Sequence, residues 1–201
     1  MWEFLLRFQH PDELIAWGGL FAVTMIVFCE TGLLAGFFLP GDSLLVTAGI
    51  VASQGKFNFL VLNGLLMLAA VLGDSTGYLI GHIIGPKLFK RDESLFFKKK
   101  HLDRTHQFFE KYGGKTIVLA RFVPIVRTFA PTVAGVGRMN YKKFLCFNVF
   151  GGIGWVLAMT GIGYFLGSTI PNIEKHLHIV IGLVIFISFL PLLNEWRKSR
   201  T

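Results

Sequence analysis

The chain has 201 residues, 53% of them hydrophobic and only 16% charged, where soluble domains carry about 25% charged residues. A mean hydropathy of +0.58 and 21 Phe exclude a disordered chain and argue against a water-soluble globule. The formal charge of +8 fits a membrane protein with basic cytoplasmic loops and calls for no nucleic acid, and two Cys inside apolar runs, Cys29 and Cys146, exclude a disulfide-stapled secreted domain.

Residues 1–13 carry Glu3, Asp12 and Glu13 against Arg7. That is the wrong charge for a signal peptide, and no small-residue cleavage site follows. The segment is read as an external interfacial helix. From Leu14 to Ile84 the charged residues are Glu30, Asp42, Lys56 and Asp74. A spanning helix needs roughly 20 apolar residues, so this stretch holds more than one crossing or hairpin. Trp17–Cys29 and Ser43–Ser53 are short apolar segments on either side of Gly-Leu-Leu-Ala-Gly-Phe-Phe-Leu-Pro-Gly-Asp. Pro40 and Gly41 break the run, and 14–53 reads as a re-entrant helical hairpin. The plainer reading is one ordinary span over 14–38 followed by a loop. A full span follows over 59–84, with Gly73, Gly77, Gly81 and Gly85 at four-residue spacing. Such a small-residue face lets a neighbouring helix approach closely.

The insert 87–115 has nine Lys or Arg against four Asp or Glu. Leu102, Thr105, Phe109 and Tyr112 share one helical face, the pattern of an amphipathic helix on an anionic leaflet. The next apolar stretch, 116–137, contains Pro124 and Pro131 and ends near Gly135 and Gly137. Were it a full crossing, the insert and the basic cluster Arg138, Lys142, Lys143 would face opposite sides. As a second re-entrant hairpin broken at Pro124, it places the insert, the cluster and the C-terminus together in the cytoplasm, as the positive-inside rule asks. Spans over 144–167 and 177–194 and a basic tail over 195–201 complete the chain. The whole, 1–201, is predicted to be a single integral membrane domain. The fold class is an all-α polytopic membrane protein, with two inverted re-entrant hairpins meeting near the midplane, about three full spans and interfacial amphipathic helices.

A charge at the bilayer centre costs about 2.5–3.5 kcal/mol on insertion scales, and this chain places Glu30, Asp42, Asp74, Arg121 and Arg127 in or beside its apolar stretches. The deep charges of the first half are acidic and those of the second half basic. Broken helices meeting at a central site are a recurring plan of secondary transporters. Arg121 and Arg127 present planar forks suited to phosphate or carboxylate. They are read as substrate phosphate-binding residues, or as partners of Glu30 and Asp42 that hold the hairpins together, and the two roles can coexist. Glu30 and Asp42 are candidate counter-charges and proton carriers, because an apolar environment disfavours the charged form of a carboxyl. Asp74 is read as either a packed, hydrogen-bonded residue or a transport residue. His101 and His106 beside Asp103 are read as surface residues rather than metal ligands. The chain lacks His-Glu-x-x-His, P-loop and Cys-x-x-Cys patterns, so no enzyme, metal or cofactor is expected.

Several motifs together resemble the bacterial DedA family. They are Glu30 followed by Phe-Leu-Pro-Gly-Asp-Ser-Leu-Leu at 38–45, Gly-Asp-Ser-Thr-Gly-Tyr at 73–78, Phe-x-Lys-Tyr-Gly-Gly-Lys at 109–115, and Ala-Arg-Phe-Val-Pro-Ile-Val-Arg-Thr-Phe-Ala-Pro at 120–131. That family is related to eukaryotic lipid scramblases with a VTT domain. The resemblance covers nearly the whole chain. It implies an inner-membrane protein with opposed hairpins that returns undecaprenyl phosphate to the cytoplasmic leaflet in dependence on proton-motive force. By position, the family's essential acids match Glu30 and Asp42, and its essential arginines match Arg121 and Arg127. The partners so implied are a polyprenyl-phosphate lipid, anionic membrane lipids and protons, with a homo-oligomer left open. The rival readings are a proton-coupled ion or drug antiporter and a non-catalytic membrane scaffold.

Overall fold

The computed structural model of the protein describes residues 11–33, 39, 41–88, 114–121, 123–170, 173 and 182. Residues 1–10 of the expected interfacial helix, Pro40, positions 89–113 of the insert, the 177–194 span apart from Gly182, and the tail lie outside the described residues. Six helices are described: α1 Pro11–Gly32, α2 Gly41–Ser53, α3 Phe59–Leu88, α4 Lys115–Ala120, α5 Pro124–Val136 and α6 Tyr141–Thr169. Among the described residues there is no strand.

The helices follow the punctuation of the sequence. α1 is broken at Gly19, whose φ of 54° and ψ of −146° suit glycine because a Cβ would clash there. Asn58 and Asn140 each precede a long helix and cap it. Asn58 Oδ1 accepts the amides of Leu60 at 3.0 Å and Val61 at 3.2 Å, and Asn140 Oδ1 accepts those of Lys142 at 3.0 Å and Lys143 at 3.3 Å. These bonds satisfy amides that the first helical turn leaves open. Val123 is extended, with φ −116° and ψ 107°, because the ring of the following Pro124 excludes the helical region. Pro124 then starts α5, where its missing N–H costs nothing. Pro131 lies inside α5. It removes only the helical bond to the carbonyl of Arg127.

Two helices are long and apolar enough to cross a membrane, over Phe59–Gly85 and Tyr141–Thr169, while Gly18–Gly32 and Gly41–Ser53 are shorter apolar helices. The long pair matches the expected spans 59–84 and 144–167. The distribution of side chains is the reverse of that in a soluble protein. Leu60, Leu68, Leu72, Phe150 and Phe165 are exposed, whereas Glu30, Asn63, Asp74, Arg121, Arg127 and Asn148 are buried. An apolar exterior this large is unstable in water and stable against lipid.

The chain forms two compact units, one from residues 1–27, 38–69 and 153–201, the other from 28–37 and 70–152. In the first, Val46, Ile50 and Ile173 form a core against Met159 and Leu166. In the second, Tyr78, Ile117, Ala134, Met139 and Phe144 do so, with Phe147 packed against them. Each unit contains one short helix pressed on the glycine face of one long helix: α2 on the C-terminal half of α6, and α5 on that of α3. The contacts repeat. A Cβ on Gly163 would stand 3.0 Å from Val46 Cα and one on Gly81 3.0 Å from Thr132 Cα; for Gly167 and Ile50 Cα, and for Gly85 and Val136 Cα, the distance is 3.1 Å. Gly49 and Gly135 answer from the short helices: a Cβ on each would stand 2.9 Å from Tyr164 N and 2.8 Å from His82 N, respectively. Positions 81, 82 and 85 thus match 163, 164 and 167 at a constant offset of 82 residues, which is also the offset between the capping residues Asn58 and Asn140. The same capped helix and the same glycine-to-backbone seam are built twice.

Candidate functional site

The second unit collects buried charge. Arg121 ends α4 in helical conformation, and Arg127 lies one turn into α5, its amide donating to the carbonyl of Val123 at 2.9 Å. The break between the two helices therefore separates the arginines and lets both turn inward. Glu30 lies in the last turn of α1, close to α3. A Cβ on Gly32 would stand 3.0 Å from the carbonyl oxygen of Gly73, the residue before Asp74.

Arg127 Nη2 donates to Glu30 Oε1 at 2.5 Å, and Arg121 Nη2 donates to Asp74 Oδ2. These are ion pairs between side chains no more than 4% exposed. A second acceptor meets Arg121: Asn148 Oδ1, 2.5 Å from the same Nη2. Asn148 Nδ2 donates in turn to the carbonyl of Val71 at 3.0 Å. Two carboxylates and two guanidiniums leave the set without net charge. An unpaired buried charge would be strongly destabilising, with removal of one partner costing about 3–5 kcal/mol. The glycines of α6 make room for it, since a Cβ on Gly151 would come within 3.2 Å of Arg121 Cδ.

Asp42 belongs to the first unit. It lies in the first turn of α2, after Gly41, and accepts a hydrogen bond from Trp155 Nε1 at 2.8 Å. Nearby in sequence on α6, Thr160 Oγ1 donates to Asn63 Oδ1 at 2.8 Å. The pairing expected from the sequence thus holds for Glu30 with an arginine. The carboxylate on Arg121 is Asp74, and Asp42 meets an indole. Asp74 is buried and hydrogen-bonded to Arg121, an arrangement that both readings of this residue allow. Of the expected hairpin breaks, Gly41 begins α2 and Pro124 begins α5.

Asn148 and Trp155 escaped the sequence reading, which took 144–167 as an apolar span. The signal was there in Asn148, a lone amide in an apolar span. Such a group is costly unless bonded and therefore implies a partner.

Long apolar helices and an apolar exterior around a buried, charge-neutral cluster are the features of a membrane protein. The VTT domain model matches residues 39–165. Protein DedA of Escherichia coli (strain K12) is 48% identical over 195 residues, covering 94% of this chain and 89% of that protein. A membrane protein of Mycobacterium leprae is 45% identical over 192 residues, 95% of this chain and 86% of its own. The inner membrane protein YqjA of Escherichia coli (strain K12) is 37% identical over 149 residues, 74% of this chain and 68% of its own. No solved structure matches. The chain belongs to the DedA family of VTT-domain membrane proteins.

Proposed function

We propose that the protein is a carrier that moves a phosphate-headed isoprenoid lipid, of the undecaprenyl phosphate class, between leaflets of the bacterial inner membrane under proton-motive force. The observation that carries this reading is the doubled pair Arg121–Asp74 and Arg127–Glu30, buried beside the Pro124 break. Guanidinium forks bind phosphate as readily as carboxylate. An arriving headgroup would displace Glu30 and Asp74, and each displaced carboxylate, left in apolar surroundings, would take up a proton. Release of the lipid returns the carboxylates to their arginines and the protons to water. Asp42, on the other unit, serves as a further proton-accepting group. No covalent bond is made or broken, so the protein is not an enzyme in this reading.

The segments 14–53 and 116–137 are taken as re-entrant hairpins. This keeps the basic insert, the cluster at 138–143 and the C-terminus on the cytoplasmic side, against anionic lipids. The test is lipid translocation. Purified protein is reconstituted with undecaprenyl phosphate in one leaflet, and loss of accessible headgroup is followed with and without a proton gradient. Gradient-accelerated loss that vanishes in Arg127→Ala and Glu30→Ala is the expected result. Loss indifferent to the gradient would make the protein a scramblase. Proton or cation flux with no lipid movement would place it among antiporters.

A further inference from the structure

We propose that Asn148 is a positioning residue that fixes the Arg121 guanidinium while the carboxylate opposite it changes state; this deepens the carrier reading and rests on it. Asn148 is fully buried on α6 and joins two elements, holding Val71 of α3 through Nδ2 and Arg121 through Oδ1. An Nη2 amine has two hydrogens. One goes to Asp74 Oδ2 and the other to Asn148 Oδ1, so a carboxylate and a neutral amide share one nitrogen. The stem is held as well, since Cβ atoms on Gly151 and Gly152 would reach within 3.2 Å of Arg121 Cδ and 3.5 Å of Arg121 Nη1. An amide has no charge to lose over the working pH range. When Asp74 is protonated or displaced by a headgroup, Asn148 still holds the arginine in place. Arg121 is therefore the stationary positive charge of the site. The charged groups around it are Asp74 on α3, Arg127 on α5 and Glu30 on α1.

Asn148→Asp gives a test that a purely structural role would not pass. A protonated Asp reproduces both bonds: its hydroxyl donates to the Val71 carbonyl and its carbonyl oxygen accepts from Arg121. An ionised Asp has no hydrogen for Val71 and puts a second carboxylate on the same nitrogen. In proteoliposomes held at constant gradient while both compartments are acidified, the Asn148→Asp rate relative to wild type should rise, by up to about tenfold per pH unit. Asn148→Leu, which has neither donor nor acceptor, should be slower by about 10- to 100-fold at every pH. If Asn148→Leu does not fold, Asn148→Asp carries the test. An Asn148→Asp ratio that stays flat with pH, or an Asn148→Leu rate within about twofold of wild type, overturns the proposal. A double-mutant cycle on thermal unfolding, pairing Asn148→Leu with Arg121→Met, reads the contact without transport. Non-additive effects are expected and additive ones overturn it. Should the wild type move no polyprenyl phosphate, the carrier reading falls and this cycle alone decides the role of Asn148.

Discussion

Glu30 and Arg127 are 97 residues apart in sequence, yet Arg127 Nη2 stands 2.5 Å from Glu30 Oε1 with both side chains buried. One lies in the last turn of α1 and the other near the start of α5, so the ion pair ties the end of α1 to α5 within the second unit. Loss of either partner leaves the other as a buried charge without its counter-charge.

Arg127→Ala should therefore destabilise the protein by about 3–5 kcal/mol, read as a fall in the unfolding midpoint in detergent. Exchange of the pair, Glu30→Arg with Arg127→Glu, should recover a good part of that stability. It should not recover lipid translocation, because the headgroup would meet the wrong sign on α5. A swapped protein that both folds and transports would show that the pair only fastens the helices, as a scaffold requires.

The duplicated seam makes a prediction in matched halves. Gly81→Ala and Gly163→Ala would each drive a Cβ into a backbone carbonyl, that of Thr132 and that of Val46 respectively, and backbone cannot rotate away as a side chain can. Each should lower stability by about 1–3 kcal/mol, and by similar amounts, since the two contacts are alike. Gly64 and Gly161 have nothing within 4 Å of an added Cβ. Alanine there should be neutral, or stabilising by up to about 1 kcal/mol. The four variants can be compared by thermal unfolding in one detergent. Unequal effects at Gly81 and Gly163 would count against equivalence of the two seams.

Much of this is legible in the sequence. Apolar runs marked the long helices, Pro124 marked the break, and the four-residue glycine spacing marked the face of α3 that receives α5. Each is a local property, because periodicity and the missing proline N–H act within a few residues. Which acid meets which base is not local. Glu30, Asp42 and Asp74 look alike in sequence, and only packing assigns Arg127 to the first, Trp155 to the second and Arg121 to the third. Asn148 was overlooked for a related reason. A neutral amide carries little weight in a hydropathy reading, although its burial demands partners as surely as a charge does.

Asp42 offers a way to separate stability from proton handling. Trp155→Phe keeps the ring but removes the Nε1–H that donates to Asp42, a bond to a charged group worth about 1.5–3 kcal/mol. Asp42→Asn keeps an acceptor oxygen for the indole and should cost less, about 1 kcal/mol. Their effects on transport should run in the opposite order. Asp42→Asn, unable to take up a proton, should abolish gradient-driven movement, while Trp155→Phe should slow it. Gradient-driven transport by Asp42→Asn at the wild-type rate would remove Asp42 from the proton path.

Replacement of the arginines by lysine tests recognition rather than charge. Lysine keeps the positive charge and can still satisfy one carboxylate, so Arg121→Lys and Arg127→Lys should fold, with losses well short of those for alanine. Lysine has one nitrogen where arginine has a planar fork. At position 121 it would have to reach Asp74 on α3 and Asn148 on α6 from that one atom, and at 127 it could not present a planar fork to the phosphate that displaces Glu30. Lipid translocation should fall by about tenfold or more in each, the loss of one charge-assisted hydrogen bond. Full activity in both lysine variants would mean that a point charge suffices, and that phosphate is not recognised through the guanidinium forks.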